Sequence, residues 1–131
     1  MMTILVDYNM EGQAGLLWDS LVKEGWQTLI PVKLLMFADV GLAPNSDDQT
    51  VWRFAQQHQM LLLTNNRSDN EEGSLEQTIR EENTPMSYPV FTVGSLDRIG
   101  EREYRELCVE RLLEIVIGSE NYLGTGRLFL P

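Results

Sequence analysis

Asp7, the pair Asp47-Asp48 and the turn Asn65-Asn66-Arg67-Ser68-Asp69 are the groups in this chain best suited to chemistry. All offer oxygen donors, and each lies where a strand or helix hands over to a turn. Hard cations such as Mg²⁺ and Mn²⁺ take oxygen ligands in near-octahedral geometry, usually one or two carboxylates plus waters. Such an ion activates a water and neutralises charge on a phosphodiester, and a pair of ions does both. Each group also has an ordinary structural use. An Asp closing a strand often forms a turn with its own backbone, and Asp47 and Asp48 suit a helix first turn, whose dipole favours negative charge. Their convergence is what suggests a site. If the strands ending at Val6 and Leu63 are neighbours, all three groups meet along one sheet edge.

The elements that must position them follow from the spacing of apolar residues. Thr3 to Val6 is a short apolar run of the kind buried in parallel sheets, and Asp7 ends it. From Gly12 to Glu24, residues Ala14, Leu17, Trp18, Leu21 and Val22 recur at helical spacing, with Gly25 as the C-cap. Trp26 to Ile30 reads as a second strand stopped by Pro31, and Lys33 to Leu42 as a short helix or buried loop. After the break at Ala43-Pro44-Asn45, Ser46 and Gln49 match a capping box, with Ser46 at the N-cap. The helix that follows carries Val51, Phe54, Ala55 and His58 on one face. Met60 to Leu63 is then a buried strand, and Thr64 to Gly73 a polar turn.

Ser74 to Asn83 gives a second capping-box helix with Leu75 and Ile79 inward, and Val90 to Val93 a further strand. Glu101 to Ile117 is the longest helix, its apolar face wide enough to be deeply buried or shared with a partner chain. The tail adds a short strand after the Gly124–Gly126 turn. This order predicts an α/β three-layer sandwich with a mainly parallel sheet of four or five strands flanked by helices, as one domain over residues 1–131.

Composition narrows the function classes. With 43% hydrophobic and 23% charged residues the chain is globular rather than disordered. Nothing approaches the ~20 apolar residues a membrane span needs, and the start lacks the basic and small-residue marks of a leader. A single cysteine, Cys108, allows no intrachain disulfide and suits a reducing cytoplasm; on the long helix it reads as inert core. The net charge of −10 argues against a protein that coats nucleic acid, but a bound cation reverses the local sign, so a nuclease remains possible. His58, the only histidine, rules out His-based triads and is expected as a core or boundary residue. Gly124-Thr125-Gly126-Arg127 reads as a turn, since no helix follows as a phosphate loop requires. Arg53, Arg67 and Arg80 read as surface or ion-pair residues.

These motifs bear a family resemblance. A strand ending in Asp (ILVDYN), a DVGL segment followed by S-D-D and a helix (DVGLAPNSDDQTVWRFA), and an apolar strand ending in T-N-N (MLLLTNNRSD) resemble the PIN-domain superfamily over residues 3–69. Within it, the chain looks most like a compact PIN-like branch of bacterial proteins related to toxin–antitoxin ribonucleases. The resemblance implies a Mg²⁺- or Mn²⁺-dependent ribonuclease in which Asp7, Asp48 and Asp69 are catalytic. Asp7, Asp48 or its neighbour Asp47, Asn66 and Asp69 would hold metal, and Asn9 and Arg67 would contact RNA. Asn66 stands where working nucleases often carry Asp, a neutral amide in place of a charged ligand. The alternative is a non-catalytic PIN-like module acting through a protein partner, such as an antitoxin-like regulator, or through a homodimer.

Overall fold

The computed structural model describes residues 1–67 and 72–131. Five strands form one sheet: β1 (Met2–Val6), β2 (Val32–Leu35), β3 (Leu61–Thr64), β4 (Val90–Val93) and β5 (Arg127–Leu130). Their order is β2-β1-β3-β4-β5 and every neighbouring pair is parallel. Strands β3 and β4 are buried along their whole length. That is why LLLT and VFTV read as short continuous runs with little alternation.

Among the described residues six α-helices flank the sheet: α1 (Glu11–Lys23), α2 (Trp26–Leu29), α3 (Phe37–Val40), α4 (Asp48–Gln57), α5 (Leu75–Glu82) and α6 (Arg102–Ile117). Side chains from α1 and α6 pack with Ile4, Val6, Leu61, Leu63, Phe91 and Leu130 on one face. On the other face α3, α4 and α5 enclose Leu5, Leu62 and Val90. The three-layer α/β sandwich is thus the observed architecture. At roughly 1.5–3 kcal/mol for each large apolar side chain taken out of water, the two cores are what hold the layers together.

The crossovers do not all share a hand. β1 passes to β2 in one direction with α1 on the first face, while β2 to β3 and β3 to β4 pass in the other direction with α4 and α5 on the second. These three agree. The step from β4 to β5 keeps the second direction but puts α6 on the first face, which gives it the opposite hand. Parallel crossovers almost always keep one hand, so β5 reaches the sheet by an uncommon route.

Several expectations need correction. Trp26–Leu29 is a short helix, and the second strand begins beyond Pro31, at Val32. The segment expected as a short helix or buried loop is therefore strand β2 followed by α3. The N-cap of α4 is Asp47 and not Ser46; Asp47 Oδ1 accepts from the Thr50 amide at 2.8 Å, while the Ser46 hydroxyl donates to the Ala43 carbonyl. His58 is exposed at the C-cap of α4, its ring stacked on Phe54 with centroids 4.0 Å apart. Ser74 does cap α5, accepting from the Gln77 amide, and Cys108 is fully buried. Among the described residues no helix is long and apolar enough to cross a membrane.

Candidate metal centre

In open parallel sheets ligands bind outside the carboxyl ends of the strands, where the strand order changes direction. Here that point lies between β1, whose chain leaves toward β2, and β3, reached from β2 on the far side. Val6 pairs with Leu63 in register, and the Asp7 amide donates to the Leu63 carbonyl at 2.8 Å. Asp7, one step beyond the end of β1, therefore stands directly across from Thr64, the last residue of β3. Two strand ends and a reversal of winding place them there.

Asp7 Oδ2 accepts a 2.7 Å hydrogen bond from the Thr64 hydroxyl, and Oδ1 lies 3.5 Å from the Asn9 amide. Thr64 Oγ1 in turn accepts from the Asn66 amide at 3.0 Å, which folds the chain back over the strand end. On the far side of the cleft, Asp48 Oδ2 accepts from Asn66 Nδ2 and from the Leu75 amide at the start of α5, both at 3.0 Å. Its Oδ1 makes no hydrogen bond among the described residues. Each carboxylate thus has one oxygen fixed by the protein and a second that is bound weakly or not at all.

Both carboxylates line one cavity of about 60 Å³, with Asn9 and Ser46 as further polar walls and Phe37, Val51, Leu62 and Leu75 as apolar ones. Its size suits a cation with a water or two, since a water's share of liquid is ~30 Å³. It is too small for a nucleotide. A larger groove of about 400 Å³ between α1 and α6 holds none of the residues expected from the sequence.

The structure separates the neighbours Asp47 and Asp48. Asp48 joins Asp7 at the cavity, whereas Asp47 is exposed and occupied with its cap. Asn66 reaches Asp48 through its amide nitrogen, which makes it a support for that carboxylate. Asn9 is at the cavity wall, and Arg67, next to Asn66 in sequence, is exposed. Asp69 lies outside the described residues. Among the described residues no three His, Cys, Asp or Glu side chains gather closely enough to hold a metal. The donor set that remains is two carboxylates with room for water, the sparse kind that Mg²⁺ tolerates.

One residue of this neighbourhood had no functional reading in the sequence. Arg127, at the start of β5, donates through Nη1 to the Asn66 carbonyl at 2.8 Å and to Thr92 Oγ1 at 2.5 Å. Only its position after a glycine turn hinted at a special placement. Comparison with family models, curated proteins and solved structures finds no match for the chain.

Proposed function

We propose that this chain is a PIN-like ribonuclease that depends on Mg²⁺ or Mn²⁺, with Asp7 and Asp48 as the carboxylates that hold the ion. The observation that supports this reading is their meeting in one small cavity at the sheet's change of direction, from distant parts of the chain. A bound divalent ion supplies Lewis acidity toward a phosphate oxygen and makes a water more acidic. The protein's own groups orient the donors. Thr64 fixes the Asp7 carboxylate, and Asn66 and the Leu75 amide fix that of Asp48. Asp69 is the third carboxylate in this proposal, replacing the charge that Asn66 lacks. Because the cavity cannot admit a nucleotide, RNA would cross its mouth, with Asn9 and Arg67 meeting the backbone.

The test is cleavage of a labelled single-stranded RNA by purified protein with Mn²⁺ or with EDTA. Cleavage that needs the ion and falls at least a hundredfold in Asp7→Asn is expected. Undiminished cleavage by Asp7→Asn would overturn the assignment.

A second reading is a non-catalytic PIN-like module that docks a protein or a second copy of itself. The amide at Asn66 favours it, as does an apolar depression in which Met1, Leu29 and Ile117 are 84%, 74% and 70% exposed. Under this reading the protein self-associates in light scattering, and Mn²⁺ neither raises its melting temperature nor supports cleavage. An ion that binds only the folded state would raise that temperature by mass action.

A further inference from the structure

We infer that Arg127 is a positioning residue for the candidate metal centre, acting through Asn66 on the Asp48 carboxylate; its consequence for metal affinity rests on the cation reading above. The contacts form a chain. The Arg127 guanidinium, about one-tenth exposed, donates from Nη1 to the Asn66 carbonyl and the Thr92 hydroxyl and from Nε to Glu76 Oε2 at 3.0 Å. Nη2 lies 2.8 Å from the same Glu76 oxygen, without hydrogen-bond alignment. Asn66, held at its carbonyl, donates from Nδ2 to Asp48 Oδ2, and Asp48 Oδ2 accepts the Leu75 amide as well.

Three separate elements are tied at this one guanidinium: β5 carries it, α5 supplies Glu76 and β4 supplies Thr92. The third acceptor belongs to the turn that leaves β3, which has no regular secondary structure of its own at Asn66. Thr64 holds this turn at the Asn66 backbone amide, and Arg127 holds it at the Asn66 carbonyl. The fork of Arg127 fixes that carbonyl, and a lysine, whose three donors share one nitrogen, lacks the planar spread to meet the three acceptors together. Partners that orient metal ligands in this way typically change metal affinity 10–100-fold when removed.

The experiment uses Arg127→Lys, with Glu76→Gln as the comparison, because the latter loses the ion pair yet keeps the Asn66 contact. In ¹H–¹⁵N spectra of the metal-free protein, the Asn66 side-chain amide and the Leu75 amide should shift in Arg127→Lys toward their positions in Asp48→Asn. In Glu76→Gln they should stay near wild type even if the melting temperature falls. Mn²⁺ affinity, followed by electron paramagnetic resonance, should drop on the order of tenfold in Arg127→Lys. Unmoved Asn66 and Leu75 signals would overturn the inference, whatever happens to stability. Should wild type bind no Mn²⁺, the cation reading fails and the spectra alone decide the positioning role. If Arg127→Lys does not fold, the wild-type guanidinium protons decide: slow exchange with a nuclear Overhauser contact to Asn66 supports the inference, and fast exchange overturns it.

Discussion

Thr64 donates its hydroxyl proton to Asp7 across the β1–β3 boundary at 2.7 Å, and the same oxygen accepts the Asn66 amide at 3.0 Å. One buried hydroxyl therefore orients the first carboxylate and anchors the turn that reaches the second. Thr64→Val keeps the shape and removes both bonds. Hydrogen bonds to charged groups contribute up to about 3 kcal/mol and neutral ones about 1, so a loss of about 1–3 kcal/mol in urea unfolding is expected. Mn²⁺ affinity should weaken on the order of tenfold with it. A variant as stable as wild type and equally tight for Mn²⁺ would mean that Asp7 is held by something else.

Asp47 and Asp48 should part company when each is changed. Hydrogen bonding with Thr50, through its side chain and then its backbone, holds the Asp47 carboxyl below its ordinary value of 3.8. A depressed carboxyl stabilises the fold above the unfolded value, and the contribution disappears as pH falls through the folded one. Asp47→Ala should therefore melt at a lower temperature than wild type at pH 7, with the gap closing in more acidic solution below 3.8. Its Mn²⁺ binding should be unchanged. Asp48→Asn should lose that binding, and retention would remove Asp48 from the site.

The neighbouring strands, α4, α5 and the strand-end Asp were legible because burial on both faces leaves continuous apolar runs and capping chemistry is local. What was misread lay at the sheet's edge. In β2 only Val32 is buried, Lys33 faces solvent, and Leu34 and Leu35 are half-covered, so the segment lacks both a continuous run and an alternation. Edge strands commonly carry such a charge. Trp26–Leu29 looks like a strand by residue type, but Pro31 separates it from the sheet. His58 falls at the spacing of the α4 apolar face yet sits at the C-cap, where the helix has already left the core. Asn66 was expected at the site as a metal ligand, but its support of Asp48 and its contact with Arg127 were not legible, since that contact spans residues far apart in sequence and depends on the unusual last crossover.

That crossover delivers β5 through a tight turn, and its glycines should resist replacement unequally. Gly126 has φ +83° and a Cβ there would meet Ile79 Cγ2 at 3.1 Å, a side chain that can yield. Gly124 has φ +82°, and its Cβ would lie 2.9 Å from the Pro85 Cα and carbonyl oxygen, which are backbone. The left-handed conformation alone costs about 1–2 kcal/mol for a residue with a Cβ. Gly126→Ala should lose about that much in urea unfolding, and Gly124→Ala distinctly more. Equal losses would show that the Pro85 backbone moves freely.

Cys108 offers a pH test of the core formed by α6. Burial pushes its thiol up from 9.0 to about 11, against a smaller opposing hydrogen bond with Tyr104. The unfolded thiol loses its proton first, so between these values the unfolded chain binds fewer protons than the folded one. Stability is then complete below about 9 and falls as pH rises toward 11, by roughly 2–3 kcal/mol at about 1.4 kcal/mol per pH unit. Tyr104, also raised chiefly by burial, adds a loss of the same sign at the alkaline end. Cys108→Ala retains the tyrosine and its burial, and removes the thiol together with the smaller part of the Tyr104 shift that the thiol causes. Urea unfolding from pH 8 to 11 should show wild type losing stability faster than the alanine variant above about pH 9. Parallel curves would mean that the thiol reaches solvent in the folded protein, which its complete burial contradicts.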